Sequence, residues 1–506
     1  MDNTGVRALL AVILSMLILF ATQYFYSKYF RSSETKPSQV EKTLPKTEPE
    51  KPLVKEETKF LEREQKLREV IVENDVFKVI FSNEGATIKR VELKKYKDNK
   101  GNPIVFTSYE IAPLGIFKKD SNEQIKPLFT VDDSKASFKE SDEATVVFTY
   151  SDSEVFIKRA FKLNKTDYSI TVNEEIEGVG FYRVTLGKDF GIFEKEDAPH
   201  WGPVILKEAD RVEINPTKIK EAVSYKDINW IAQEDKYFFS ALVPDTKSNQ
   251  FTVFPYKDTA LIFAELSQGK NTYRVFISPK EYDYLKKFNV GLEHIVDFGF
   301  FSIVARPLFW FLKFLYSFIG NYGFAIVILT IIVRIPFIPI VNRGQKSMQK
   351  LSELQPKLAQ LKEQYKNDPQ RLQKEILELY RKYKINPFTG CLPILLQLPI
   401  FFALYKVLTV AIELRQAPFV LWIQDLSVKD PYYVLPILMG ATMFIQQKIT
   451  PSTADPTQQK ILLILPIIFT FLFLTFPSGL VLYWLINNIF GIAQQIYINQ
   501  KIKKAK

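Results

Sequence analysis

Arg334 is the residue in this chain whose chemistry most needs explaining. It stands near the middle of an apolar run, residues 322–341, long enough to cross a bilayer, where about 20 apolar residues suffice. An arginine at that depth costs at least ~2.5–3.5 kcal/mol on insertion scales, so it needs a function or a partner. No Asp or Glu lies inside any of the other apolar runs that could supply an ion pair, and Glu413 falls at the end of its segment. The spacing predicts that Arg334 meets water and neutral polar groups, with Thr330 one turn away on the same face. In the last apolar run, Tyr483, Asn487 and Gln494 form one stripe, and Trp484, Asn488 and Gln495 form the adjacent one. Gln397 and Gln446 add carboxamides from two further runs. Two readings fit these groups. They are helix–helix hydrogen bonds, or they line a hydrophilic cavity holding one fixed positive charge. Lys406, near the outer end of its run, is expected to snorkel.

Other chemistries lack residues. One cysteine (Cys391) and two histidines (His200, His294) are too few for an intrachain disulfide or a Cys/His metal centre. No phosphate-binding G-x-x-x-x-G-K-[ST] and no G-x-S-x-G is present, so nucleotide hydrolysis and hydrolase chemistry have no motif. The reading is of a protein that is not an enzyme and needs no cofactor. Its net charge of +11 suits anionic lipid or topology control without any specificity for nucleic acid.

The elements that must hold Arg334 follow from the distribution of apolar residues. With 506 residues the chain exceeds one ordinary domain. Residues 1–27 read as an uncleaved N-terminal transmembrane anchor, because the run ends in Thr22, Gln23, Tyr24, Phe25 and Tyr26 rather than small residues. Residues 28–69 read as a disordered linker rich in Lys, Glu, Thr and Pro, with a short helix over 60–69. From 70 to 296 the pattern is β. Tyr168, Ile170 and Val172 alternate with Ser169, Thr171 and Asn173, and Tyr273, Val275 and Ile277 repeat the period. Many strands without helical segments between them predict a β-sandwich, closed by a helix over 282–296. Residues 297–321 predict an amphipathic interfacial helix with Arg306, Trp310, Lys313 and Ser317 on one stripe. The core, 322–500, holds five apolar segments: 322–341, 388–412, 432–447, 461–476 and 479–498, the last two joined by the turn Pro477-Ser478-Gly479. With the N-terminal anchor this makes a polytopic α-helical membrane protein of six transmembrane helices, five of them the core, with a large all-β sandwich outside the cytoplasm.

Charge sets the orientation. Residues 342–386 carry eleven Lys and Arg against five acids, and the tail 501–506 adds four lysines. Both should be cytoplasmic, which places the N terminus inside and the β domain outside. Within 342–386, Met348, Leu351, Leu354, Leu358, Leu361 and Tyr365 recur at helical spacing, as do Leu372, Ile376, Leu379 and Tyr383. Asp368-Pro369 between them is a helix restart, so two amphipathic helices in a cytoplasmic hairpin are predicted. Its lysines are either a solvated face that fixes topology or a docking surface for nascent chain, ribosome or anionic lipid.

Several stretches resemble the YidC/Oxa/Alb insertase family. They are Gly320-Asn321-Tyr322-Gly323-Phe324 through Thr330-Ile331-Ile332-Val333-Arg334, Leu354-Gln355-Pro356-Lys357, Asn386-Pro387 with Gly390-Cys391, Glu413-Leu414-Arg415-Gln416-Ala417-Pro418-Phe419, Asp430-Pro431-Tyr432-Tyr433, and Phe476-Pro477-Ser478-Gly479-Leu480-Val481-Leu482-Tyr483-Trp484. Together they cover most of residues 320–497 in the family's order. The linker and β domain resemble the periplasmic insert of the bacterial six-span branch, which is similar to sugar-binding sandwiches, although no sugar site is read here. The resemblance implies an inner-membrane insertase and chaperone with a groove open to cytoplasm and lipid and closed outside. It implies substrate contact from Thr330, Arg334 and the Tyr483–Trp484 pair, to which the residue pattern adds Gln397, Asn487 and Asn488 as groove-lining groups. Implied partners are nascent membrane proteins, membrane lipids, the Sec translocon and, given the short tail, a weak or transient ribosome contact. Two positions depart from the family pattern: Trp484, where Tyr is frequent, and Lys406, where a neutral residue is common. Two rival readings are an anion transporter using Arg334 and a membrane-anchored envelope carbohydrate-binding protein. The first lacks internal repeats, and the second leaves the central arginine and the basic hairpin without a use.

Overall fold

A computed structural model describes residues 66–108, 110–119, 123–195, 198–245, 250–383, 392–450 and 456–503, the side chains of 392–396, 456–462, 502 and 503 excepted. The N-terminal anchor, the linker to residue 65, the start of the 388–412 segment and the end of the tail lie outside the described residues. The chain divides into two compact units, with the boundary between Ile295 and Val296.

The first unit is a sandwich of two antiparallel sheets. Alternation decides where it begins: Val70 and Val72 are buried while Glu69, Ile71 and Glu73 are exposed. Period two is the signature of a strand with one wet face. Glu69 therefore opens strand Glu69–Glu73 rather than ending a helix over 60–69. That strand pairs in turn with Phe77–Ser82, Thr87–Lys97 and Pro103–Thr107 to make the smaller sheet. The larger sheet is centred on two long partners, Ser169–Thr185 and Thr259–Pro279. Their register shifts between Ile176 and Phe181. Gly178 at this bulge has a φ of +82°, and a Cβ there would lie 1.9 Å from the Glu154 carbonyl oxygen, so only glycine fits. Phe81 of the smaller sheet meets Phe161 and Phe148 of the larger at 4.9 and 6.2 Å, and Phe106 meets Phe238 at 5.8 Å. These rings form the inter-sheet core.

A buried ion pair, Arg159 with Glu174, sits in that core. Arg159 is fully buried on a strand whose inward positions are otherwise apolar. Its Nε donates to Glu174 Oε2 at 3.1 Å, Nη1 to the Ala86 and Leu114 carbonyl oxygens at 2.9 and 2.7 Å, and Nη2 to the Tyr273 hydroxyl at 2.9 Å. The Tyr182 hydroxyl donates to Glu174 Oε1 at 2.7 Å and that of Tyr273 to Oε2 at 3.0 Å. Burial, reinforced by the Glu174 charge, pushes both phenols above their ordinary range. The expected closing helix over 282–296 is only one turn, α1 (Tyr282–Lys286), followed by a 3-10 turn, Leu292–Ile295. Asn289 and Gly291 take positive φ and cannot continue a right-handed helix.

The second unit is helical: α2 (Ser302–Ile319), α3 (Tyr322–Arg334), α4 (Ile338–Glu353), α5 (Gln355–Gln364), α6 (Pro369–Lys382), α7 (Leu392–Val410), α8 (Val434–Ile449), α9 (Pro456–Phe473) and α10 (Ser478–Lys503). In α2, Ala305, Phe309 and Leu312 are buried, while Ile303, Trp310, Phe314 and Phe318 are exposed. Of the polar stripe read from the sequence, Arg306, Trp310 and Ser317 are exposed, and Lys313 pairs with Glu413 at 3.3 Å. By length and composition α2 would also suffice to cross a membrane. Between α3 and α4, Pro336 and Pro339 tighten the chain into a 3-10 turn, Ile335–Phe337, without ending the rod. The helical run extends from Tyr322 to Glu353, so the span carrying Arg334 leads straight into the first arm of the hairpin.

The hairpin pairs as its spacing predicts. Leu351, Leu354 and Leu358 are buried against Ile376, Leu379 and Tyr380. Asp368 caps α6, accepting from the Arg371 N–H at 3.0 Å, with Pro369 in the first turn. The pattern misassigns one aromatic: Tyr383 is exposed and hydrogen-bonded by Lys357, and Tyr380 does the packing.

Candidate functional site

The site is organised by α10, whose polar residues fall on diverging faces. On the face toward α3, Arg334 Nε donates to Asn487 Oδ1 at 2.7 Å, and Nη2 to the Asn487 carbonyl oxygen at 3.2 Å. The Phe490 ring centroid lies 5.7 Å from the guanidinium carbon. One turn before Asn487, the buried Tyr483 hydroxyl accepts from Gln397 of α7. Arg334, Asn487, Tyr483 and Gln397 thus form one neutral-lined cluster around one cation, and Arg334 remains partly exposed. Two turns beyond Asn487, Gln494 Nε2 donates to Asn342 Oδ1 of α4 at 2.7 Å.

The other expected site residues go elsewhere. Thr330 is buried and spends its hydroxyl on the Ile326 carbonyl oxygen of its own helix at 2.6 Å, so it presents no free hydroxyl beside Arg334. Trp484 sits among aromatic rings, 4.8 Å from Phe401 and 5.3 Å from Phe473. Asn488 faces α8, donating to the Met439 carbonyl oxygen at 3.2 Å and to Thr442 Oγ1 at 3.3 Å. Asn488 therefore ties two helices together, while Asn487 holds the arginine. Gly491 lets Gln446 approach α10, because a Cβ there would lie 2.6 Å from Gln446 Nε2.

Two ion pairs were not foreseen. The Lys406 Nζ lies 3.5 Å from Asp297 Oδ2 and its stem packs over Gly299. Lys313 pairs with Glu413. Both acids stand outside the apolar segments, so the spacing within those segments gives no sign of them. Gln345 and Gln349 also stand on the helical rod that carries Arg334. They follow Asn342 by three and seven residues on α4, and their Oε1 atoms are buried without a hydrogen-bond partner among the described residues. Their spacing on one helical face was a signal available in the sequence.

Guanidinium, carboxamides and a phenol can attract charge and offer hydrogen bonds to a passing polar chain. Residues 69–311 match the family described as "YidC periplasmic domain", and residues 314–505 match "60Kd inner membrane protein". A membrane protein insertase YidC of Syntrophus aciditrophicus is 40% identical over 470 residues, 86% of each chain. One from Geotalea uraniireducens is 38% identical over 533 residues, 98% of this chain and 99% of the relative. The chain belongs to the YidC family of membrane protein insertases. A solved structure titled as an active YidC insertase with its first transmembrane domain resolved is 22% identical, covers 86% of this chain and 93% of its own, and has a TM-score of 0.39. Family membership makes this a polytopic inner-membrane protein whose sandwich is the periplasmic domain. It sets aside the transporter and carbohydrate-binding readings.

Proposed function

We propose that this insertase admits the polar tail of a client to the cluster at Arg334 while the client's apolar segment slides into lipid beside it. The observation that carries this reading is the pairing of Arg334 with neutral Asn487, with no acid among the described residues to compensate its charge. A hydrated polar path shortens the hydrocarbon a tail must cross. An acidic tail also moves with the membrane potential, worth ~2.3 kcal/mol per charge per 100 mV. Transfer of Leu, Ile, Phe and Val to lipid adds about −0.3 to −0.6 kcal/mol each. The process requires no nucleotide, cofactor or covalent chemistry. Thr330, Trp484 and Asn488 support the walls, and Gln397, Tyr483 and Asn487 keep the groove polar.

In this reading six helices span the inner membrane, α2 lies in the periplasmic interface, and both termini and the α5–α6 hairpin are cytoplasmic. The hairpin receives nascent membrane proteins through weak or transient contact with the ribosome, and the core works alone or beside the Sec translocon. With Cys391 replaced by Ser, Ser347→Cys should label only from the cytoplasm and the exposed Lys100→Cys of the β domain only from the periplasm. Labelling of both from one side would reject this topology.

The decisive assay is insertion into liposomes of one single-span client carrying either Asp or Asn in its translocated tail. Arg334→Ala should slow the Asp-tailed client about tenfold, equivalent to ~1.4 kcal/mol, and the Asn-tailed one much less. Arg334→Lys should retain more, since the charge survives without the five-donor fork. Equal losses for both tails would leave Arg334 a hydrating or structural residue.

A further inference from the structure

We propose that the loop between α7 and α8, residues 411–433, is an apolar foot seated in the lipid interface of the bilayer. The argument begins with length. Helix α7 has 19 residues and rises roughly 28 Å, about one hydrocarbon thickness, so the chain leaves it at the membrane boundary. Helix α8 has 16 residues and rises only roughly 24 Å, some 6 Å short of the ~30 Å hydrocarbon layer. Apolar residues flanking a short span can make up that deficit.

The loop is built to present such residues. Its inner side is fixed by buried Ala417, Ile423 and Leu426, and by Asp430. Asp430 Oδ1 accepts from Trp422 Nε1 and from the Tyr432 N–H, each at 3.0 Å, and Oδ2 accepts from the Leu435 N–H at 2.7 Å. Its outer side shows Leu421 at 77%, Tyr432 at 67% and Val428 at 47% exposure, with Val420 and Tyr433 also open. Leu421 is the tip of a turn closed by the Ile423 N–H donating to the Val420 carbonyl oxygen at 3.1 Å. Leu421 and Tyr433 both hold left-handed backbone, φ of +54° and +56°, where glycine would be expected. In water this arrangement combines backbone strain with exposed apolar surface; in lipid the surface is buried and offsets the strain.

A lipid occupant is favoured by continuity. Tyr432 and Tyr433 run directly into Ile437 and Leu438, exposed on the first turn and a half of α8, with no charged residue between. Tyrosine at the boundary with aliphatic residues beyond it is the composition of a membrane–water interface. The ring of Trp422 stands 6.3 Å from that of Tyr432, so the turn and the entry to α8 form one surface.

The proposal rests on α7 and α8 spanning the bilayer, and the test separates the two claims. The full chain, with Cys391→Ser, is reconstituted in liposomes and spin-labelled at Leu421→Cys, at Tyr432→Cys, at Phe471→Cys on the exposed face of α9, or at Lys100→Cys on the β domain. Accessibility to oxygen and to a water-soluble nickel chelate is then measured. The two loop labels should resemble Phe471→Cys, with oxygen access exceeding nickel access several-fold. Nickel access equal to that of Lys100→Cys, with Phe471→Cys still protected, would overturn the foot alone. Protection of the loop labels from both reagents would also overturn it, in favour of a protein partner. Nickel access at Phe471→Cys as well would refute the spanning helices on which it stands.

Discussion

Arg159 and Arg334 are both arginines on elements that are otherwise apolar inside, and they are handled in opposite ways. Arg159 has an acid, a phenol and two backbone carbonyls around it, and its Glu174 partner is itself hydrogen-bonded by two tyrosines. Nothing of its charge reaches solvent. Arg334 has one asparagine, bonded through side chain and backbone, and keeps part of its surface open. A buried charge whose partners are complete specifies packing and is silent outside the core. A charge given only neutral partners is held in place but not cancelled. Its field is available to whatever enters, at the standing cost of keeping a cation near lipid.

The largest effect expected from this difference lies in the periplasmic domain. Arg159→Met should destabilise it by about 3–5 kcal/mol, because Glu174 is left buried without its cation. Adding Glu174→Leu should recover most of the loss, since the replaced pair then becomes apolar packing. Hydrogen-exchange protection of the domain in the intact chain measures both. A double variant no more stable than the single one would mean that the cost lies in the lost hydrogen bonds to Ala86 and Leu114. Arg334→Ala should produce no comparable loss in the helical unit, as no carboxylate among the described residues is stranded.

The hairpin tests whether the basic region behaves like Arg159 or like Arg334. Leu358 is buried in its small core. Leu358→Asp should cost about 2–4 kcal/mol there through lost packing and an unpaired buried charge. Protease cleavage should then concentrate between residues 351 and 382, with α7 to α10 intact, and client delivery should fall. Unchanged insertion by a demonstrably unfolded hairpin would reduce its lysines to a topology signal.

How much of this was legible in the residues depended on the range of the interaction. Period two gave the strands, because one wet face and one dry face leave a mark every second residue, as at Val70 and Val72. Leucine spacing gave the hairpin and Asp368-Pro369 its restart. The neutral partner of Arg334 among the described residues, Asn487, agrees with the lack of an acid in the apolar segments. What failed was non-local. Two asparagines adjacent in sequence, Asn487 and Asn488, went to different helices, because a helix turns about 100° per residue and the neighbours of each face are set by packing. Thr330 stands one turn from Arg334, but its hydroxyl has a closer acceptor in its own helix. Lys406 found Asp297, more than a hundred residues away and outside the apolar segments. Arg159 gave no signal at all, since an alternating strand makes an inward arginine look like an interruption.

The smallest expected effect is the sharpest test, because it makes the membrane arginine resemble the periplasmic one. Asn487→Asp would place a carboxylate where Oδ1 now accepts from Arg334 Nε at 2.7 Å. The geometry already suits a charge-assisted bond, so the fold should hold, with stability changed by less than about 1 kcal/mol. The net charge of the cluster, however, would fall to zero. Asp-tailed clients should then insert about threefold more slowly, ~0.65 kcal/mol, a milder loss than in Arg334→Ala because the hydrogen-bonding groups remain. Asn-tailed clients should be nearly indifferent, since the cleft stays polar. Pairing Asn487→Asp with a Lys-tailed client reverses the electrostatic sign while leaving every other contact in place. If charge does the work, that combination should improve on the parent chain with the same client. Should all three tails respond alike to Asn487→Asp, the two arginines would differ in exposure alone, and the neutral partner of Arg334 would be a matter of packing.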